Sequence, residues 1–212
     1  MYLPIPIRTP QWISRLFPNF LWSVRSSKAI YLSFDDGPTA EVTLEILDLL
    51  KAYRAKATFF CVGNNVSKHP EIFKQIIDQG HSWGNHTYHH NDIKKTSSKE
   101  FLESTERCRA LMEKHSKQNS TLFRPPQGRF VYSYKKILGE SYKVVFWTLL
   151  SMDHIHDIDA AKCTKNLLRA KAGDIIVLHD NVRTKETTLE SLTNFLEWAQ
   201  NNKIMLLGLP MQ

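Results

Sequence analysis

The sequence predicts an α/β protein built on a parallel sheet, and three observations predict it. Short apolar runs recur along the chain. Segments with helical spacing of apolar residues separate them. The residues with chemistry to offer fall just after the runs, where α/β folds place their sites. Right-handed crossovers would curl such a sheet toward a barrel or wind helices onto both of its faces.

Residues 29–34 form the first strand-like run. Residues 41–51 carry Val42, Leu44, Ile46, Leu47, Leu49 and Leu50, the pattern of a helix. Residues 57–61 are strand-like. Residues 70–79 form a helix with Pro70 at its start and Gly80 just past its end. Residues 81–84 form a short strand, and 97–114 a long helix that Ser97 and Glu100 open as a capping box. Helix over 132–138, strand over 143–150, helix over 160–170, strand over 174–178, helix over 186–200 and strand over 203–207 complete the alternation. No repeat, low-complexity tract or linker interrupts it. Residues 1–28 stand apart as an N-terminal extension, and 29–212 form one domain. Trp12, Ile13, Leu16, Phe17, Phe20, Leu21 and Trp22 make an aromatic-rich segment broken by Pro18. It reads as a strap packed on the domain; the alternative is a membrane-surface or partner contact through residues 11–24.

A chain of 212 residues can bury a sizeable single core. Its 42% hydrophobic and 23% charged composition is that of a soluble globular protein. No stretch approaches the ~18 apolar residues of a membrane span. Residues 1–8 lack a basic start, a continuous apolar core and a small-residue cleavage site, so no conventional signal peptide is expected, and cytoplasmic residence is. Cys61, Cys108 and Cys163 are odd in number and widely spaced, which suits reduced, buried thiols better than a disulfide framework. The net charge of +7 raises a nucleic-acid reading. The lysines and arginines are scattered, however, which predicts a solvated basic surface and no nucleic-acid partner. Attraction toward an anionic glycan, lipid surface or nucleic acid is the alternative.

The chemistry concentrates at four places. Ser33-Phe34-Asp35-Asp36-Gly37 ends the first strand with two adjacent carboxylates, which are costly unless a cation or an arginine compensates them. His86 and His90 form an H-x-x-x-H pair, Arg124 opens Arg124-Pro125-Pro126-Gln127-Gly128, and His179-Asp180 follows a later apolar run. Asp36, His86 and His90 supply two imidazoles and one carboxylate, leaving a coordination position open as catalytic zinc sites do. Histidines four apart meet on one face of a helical turn. Non-haem iron uses the same donor set, but no oxygenase partner set accompanies it. Asp35, free beside the open position, can take the proton of a water held there. Arg124 can keep Asp35 ionised and oriented. His179 can stand opposite as general acid, with Asp153 the best candidate to hold it protonated. Pro125-Pro126 stiffens the turn that aims Arg124, and Gly128 allows close approach of backbone to a ligand. Taken singly, the histidine pair reads as solvated histidines, Arg124 as a structural ion pair, and His179 as a satisfied strand-end histidine.

In this order, Ser33-Phe34-Asp35-Asp36-Gly37, His86-Thr87-Tyr88-His89-His90, Arg124-Pro125-Pro126-Gln127-Gly128 and Leu178-His179-Asp180 resemble the motifs of the polysaccharide deacetylases. These are the carbohydrate esterases of family four, or nodulation-factor deacetylase homology domains. The flanks Lys56-Ala57-Thr58-Phe59-Phe60-Cys61-Val62-Gly63 and Gly84-Asn85-His86-Thr87 are similar too, and the match runs from about residue 29 to 207. The resemblance implies a distorted, incomplete (β/α) barrel and metal-dependent hydrolysis of N-acetyl groups on aminosugars, in a glycan of chito-oligosaccharide or peptidoglycan type. It implies Asp35 as base, Asp36, His86 and His90 as ligands of Zn2+ or another divalent cation, and Arg124 as the residue orienting the base. His179 is then the acid, Asp153 its partner, and the backbone N–H of Gln127 part of an oxyanion site. Gln127 stands where an aromatic is common and Asn91 where a Pro often follows the second ligand. Leu150 replaces a common Asp, His154 a common Trp and Val177 a common Leu. His154 and Val177 fall near the family's acetyl pocket, so the departures touch substrate preference more than chemistry. Two other readings stand beside this one: a hydrolase of a non-sugar amide on the same fold, and a catalytically silent glycan- or metal-binding module.

Overall fold

The computed structural model describes residues 6–129 and 134–211. In chain order the elements are α1 (Gln11–Leu16), β1 (Ile30–Asp35), α2 (Thr43–Ala52), β2 (Thr58–Cys61), α3 (Gly63–Lys68), α4 (Pro70–Asp78), β3 (Ser82–Asn85), α5 (Ser98–Ser116), β4 (Leu122–Phe123), α6 (Tyr134–Leu138), β5 (Lys143–Val144), β6 (Leu149–Leu150), α7 (Ala160–Leu167), β7 (Ile175–His179), α8 (Lys185–Asn201) and β8 (Leu206–Leu207). The sheet runs β5-β4-β3-β2-β1-β7-β6, with β8 beside the start of β1, and its strand pairs are parallel. The two edge strands, β5 and β6, are consecutive pieces of one extended run. The sheet therefore curls into an incomplete (β/α) barrel.

Every residue of β1 is buried, as in a parallel strand covered on both faces. Side-chain alternation sorts the strands into two layers. Ile30, Leu32 and Phe34 of β1, Phe59 and Cys61 of β2, and Ile176 and Leu178 of β7 pack outward against the helices in the main core. Tyr31, Phe60, Leu122, Val145 and Ile175 form a second cluster, on the inner side of the curl. Ser33, Asp35, Val177 and His179 share that inner parity. The register pairs Asp35 with His179 on one side and with Phe60 on the other. Topology and period alone thus bring an acid and a histidine 144 positions apart to the same barrel mouth.

The helices follow their end signals. Pro70 occupies the first turn of α4, whose Ile72, Phe73 and Ile76 are buried, and Gly80 beyond it takes φ +74°. The capping box of α5 is formed: Ser97 N–H donates to Glu100 Oε2 at 3.2 Å, and Glu100 N–H to Ser97 Oγ at 3.3 Å.

Four elements differ from expectation. The run 143–150 divides, because Val144 pairs with β4 while Leu149 and Leu150 pair with β7. Between them, Phe146 N–H bonds to the Leu21 carbonyl. The last strand shortens to Leu206–Leu207, the part that reaches β1. Two short helices, α1 and α3, were not expected. Of the helix expected over 132–138, residues 132 and 133 lie outside the described residues. The N-terminal segment lies along the seam between the sheet edges. Arg8 bridges Leu149, Leu21 bridges Val145 and Ser23 bridges Asp174. Trp22 stacks on Phe146 at 4.7 Å between ring centroids. Trp12 and Leu16 of α1 face solvent at 61% and 62% exposure.

Candidate active site

In a regular strand, neighbouring side chains point to opposite faces. Asp35 lies on the inner face, so Asp36 would point away from it. Asp36 instead takes φ 87°, in the left-handed region that non-glycine residues rarely occupy. That turn brings both carboxylates to the same cavity. Such a conformation costs about 1–3 kcal/mol. Two amides secure it: Asn65 Nδ2 donates to the Asp36 carbonyl and Asn181 Nδ2 to Asp36 Oδ2, each at 2.7 Å. Gly37 follows because a Cβ there would overlap the carboxyl of Asp180. Asp180 accepts Gly37 N–H at 2.8 Å and the Thr43 hydroxyl at 2.6 Å. Burial pushes its carboxyl up to about 8, so Asp180 is largely neutral and acts as a clamp.

His86 and His90 come together without a helix. Thr87 and His90 both have positive φ, 62° and 55°. Asn85 Oδ1 accepts Thr87 N–H and Thr87 Oγ1 accepts Asn91 N–H, closing a loop rather than a helical turn. Asp36 Oδ1 lies 3.7 Å from His86 Nε2 and 3.3 Å from His90 Nε2. His86 Nδ1 lies 2.7 Å from the Arg124 carbonyl and donates to it, which leaves the Nε2 lone pair facing Asp36 and His90. Burial pushes the His86 imidazole down to about 4, so it stays neutral at working pH, the form a ligand requires. Burial opposes ionisation of Asp36, but its hydrogen bond to His90 and the electrostatic pull of the neighbouring imidazoles, His179 foremost, outweigh it. Its carboxyl is held well below the usual range. The donor set, its spacing and its fixed tautomer fit a divalent ion.

Arg124 is fully buried and its Nη1 donates to Asp35 Oδ1 and to Ser33 Oγ, each at 2.7 Å. Its guanidinium lies 4.0 Å above the Phe60 ring. Asp35 Oδ1 is thereby engaged, and Oδ2 can face a reactant. Across the cavity, His179 Nδ1 lies 2.8 Å from Asp153 Oδ1. Asp153 also accepts His179 N–H at 2.7 Å, the Thr188 hydroxyl at 2.8 Å and the Ser151 hydroxyl at 2.8 Å. Burial pulls the His179 imidazole down, but the Asp153 charge and hydrogen bond raise it, with help from Asp36 and Asp35, to about 9.

Asp35, Asp36, His86, His90, Asp153 and His179 line one cavity of about 660 Å³, with Gln127, Leu150, His154 and Val177 in its wall. Gln127 takes φ 58° in the turn Pro126–Gly128. Val177 belongs to an apolar cluster with Leu150 and Met152. A Cβ on Gly128 would meet the Trp147 ring, so that glycine makes room for an indole rather than a ligand. Sequence reasoning gave no role to Ser33, although it opens the first motif, and missed Asn65, Ser151, Asn181 and Thr188, common polar residues.

A family model described as polysaccharide deacetylase matches residues 23–142. The chain belongs to the polysaccharide deacetylase family. A peptidoglycan-N-acetylglucosamine deacetylase of Bacillus cereus is 33% identical over 179 residues, which span 82% of this chain and 84% of that relative. The peptidoglycan-N-acetylmuramic acid deacetylase PdaA of Bacillus subtilis is 32% identical over 168 residues, 77% of this chain and 64% of that one. The solved structure of the Bc1960 peptidoglycan N-acetylglucosamine deacetylase, in complex with 4-naphthalen-1-yl-N-oxidanyl-benzamide, superposes with a TM-score of 0.86 at 27% identity, covering 95% of each chain.

Proposed function

We propose that this chain is a metal-dependent hydrolase that removes N-acetyl groups from an N-acetylglucosamine-containing glycan of chito-oligosaccharide or peptidoglycan type. One observation carries the reading. Asp35, locked by Arg124 beside the Asp36–His86–His90 face, stands across one cavity from a histidine raised by a buried carboxylate. A carboxylate base held in place and a histidine acid on either side of a donor set are what hydrolysis of an amide needs. The named activities of the relatives support the substrate class.

Asp36, His86 and His90 would hold the ion, and zinc is the ion proposed. When bound, it would polarise the amide carbonyl and acidify the attacking water. Asp35 takes the proton of that water on Oδ2, while Arg124 keeps the carboxylate from turning away. The backbone N–H of Gln127 faces the developing oxyanion. His179 gives its Nε2 proton to the departing amine, and Asp153 stabilises the imidazolium until then. Val177, with Leu150 beside it, offers an apolar wall to the acetyl methyl, and His154 closes the far side.

The cysteines are free and buried, which suits a reducing compartment, and cytoplasmic residence belongs to the proposal. No helix among the described residues is long and apolar enough to cross a membrane.

Acetate release from chito-oligosaccharides and peptidoglycan fragments, with zinc, with a chelator and after zinc is restored, tests the reading. Release that the chelator abolishes and zinc restores supports it. Release only from non-sugar amides would transfer the assignment to another substrate class. Zinc binding without release from any amide would make the chain a binding module.

A further inference from the structure

Among the described residues, one other group of imidazole and carboxylate side chains is close enough to share an ion: Asp153, His154 and His179. Its spacing is similar to that of the first group, with one pair closer. His179 Nδ1 lies 2.8 Å and His154 Nδ1 3.7 Å from Asp153 Oδ1. The corresponding separations from Asp36 Oδ1 are 3.3 Å to His90 and 3.7 Å to His86. The rings of His154 and His179 stand 4.8 Å apart between centroids, tilted rather than stacked. All three residues line the cavity, so an ion has a path from solvent. Two imidazoles and a carboxylate make a zinc donor set whether or not a sequence motif announces it.

We propose that Asp153, His154 and His179 form a second, weaker zinc site, and that filling it switches the hydrolase off. The binding half stands on these three residues alone. The inhibition half rests on the function proposed above. The site is weaker for two reasons. Asp153 already accepts hydrogen bonds from Ser151, Thr188 and the His179 backbone, which compete for its lone pairs. The proton on His179 Nδ1 must also leave to solvent before that nitrogen can offer its lone pair. Once the ion is seated, the imidazole keeps only its Nε2 proton. Giving that proton to an amine would leave an imidazolate, a far poorer outcome than the neutral imidazole left by an imidazolium. The departing amine then has no donor, while the first ion and Asp35 stay in place.

Zinc titration of the metal-free full chain by equilibrium dialysis, without substrate, counts the sites. The wild type should bind two zinc ions of unequal affinity. His90→Ala should lose the tighter and keep the weaker. His154→Phe keeps a ring and removes the donor. It should keep the tighter and weaken the other by at least ~10- to 100-fold, the loss that even an outer-shell partner causes. His154→Gln serves as a second variant should the first fold poorly. The ratio of acetate release at excess zinc to that at one equivalent should fall for the wild type and stay near one for the His154 variants, whatever their basal rates. A single zinc in the wild type overturns the proposal, as does a weaker zinc unchanged in both His154 variants. Absence of acetate release at every zinc level overturns the hydrolase reading instead, and dialysis still decides the second site.

Discussion

Asp153→Asn removes one charge and one hydrogen-bond acceptor at unchanged size. The side chain's one remaining oxygen can keep the His179 N–H and Thr188 bonds, while its amide takes the place of the oxygen that accepts from His179 Nδ1 and Ser151. In the native protein, burial pulls the His179 imidazole down, yet Asp153, Asp36 and Asp35 together lift it from 6.5 to about 9. At 1.36 kcal/mol per unit, that net rise corresponds to roughly 3 kcal/mol favouring the imidazolium. With the Asp153 charge gone, burial is opposed only by Asp36 and Asp35, and the imidazole should titrate well below its native value. The alkaline limb of kcat/KM should lie near or below pH 9 in the wild type, since a bound divalent ion adds positive charge to the cavity. In the variant that limb should move to lower pH, with turnover at the wild-type optimum lowered by up to the roughly 10²–10⁴-fold that general-acid catalysis typically contributes. Acetate release measured across the pH range, with metal content followed on the same samples, reads both. An alkaline limb at the same pH in both proteins would refute the pairing of Asp153 with a catalytic His179.

The same pair makes a stability prediction. The folded-state value of His179 is raised, so its contribution is fully present below about 6.5 and is lost as pH climbs through about 9. Asp153 is depressed despite its burial, chiefly by the His179 charge, so its contribution is present above 3.8 and lost as acid protonates it. These are two views of one interaction and count once. The metal-free wild type should lose up to roughly 3 kcal/mol of stability as pH rises through that alkaline window, and Asp153→Asn should not. Denaturant melts at several pH values check this, and parallel slopes for the two proteins would refute it.

Asp35→Asn should retain the metal and lose turnover by about 10²–10⁴-fold, and near-normal turnover with metal bound would move the base role elsewhere. His179→Ala should keep the metal, lose most activity on amides and lose less on activated esters, whose leaving groups need little protonation; equal losses would make the residue structural. Deleting residues 11–24 should lower the melting temperature if they act as a strap. Trp22→Ala should cost about 3–5 kcal/mol, whereas Trp12→Ala should change stability by under ~0.5 kcal/mol. Unchanged stability on deletion, with binding to anionic vesicles lost, would make the segment a membrane contact.

The helices that announced themselves did so through local chemistry. Pro70 and Gly80 bracket α4, and Ser97 with Glu100 opens α5, because these signals act within one turn. Helix α3 was silent for the converse reason. Only Gly63 and Val66 of its six residues are buried. Its start is held by Gly63 and Asn64 N–H groups bonded to the carbonyls of Thr87 and Tyr88, far along the chain. The run 143–150 misled in the same way, since apolar continuity does not say which neighbour each half will meet.

The candidate site divides along a similar line. Ionisable residues stand out in a sequence because burying them is expensive, and each charged group of the site was visible. The neutral residues that make those charges tolerable were not. Ser33 completes the Arg124 contacts, Ser151 and Thr188 those of Asp153, and Asn181 those of Asp36. Nothing in their spacing separates them from surface polar residues, because each acts through a partner distant in sequence or hidden within a loop. The two carboxylates themselves show the limit. Adjacent acids on a strand ought to face opposite ways, and their sharing of one cavity depends on the left-handed turn at Asp36. That turn is secured by amides from Asn65 and Asn181, on two other segments. The Asp-Asp pair could therefore be read as chemistry from the sequence, but the backbone inversion that gives the two acids separate tasks in the proposed mechanism exists only once the barrel mouth has assembled.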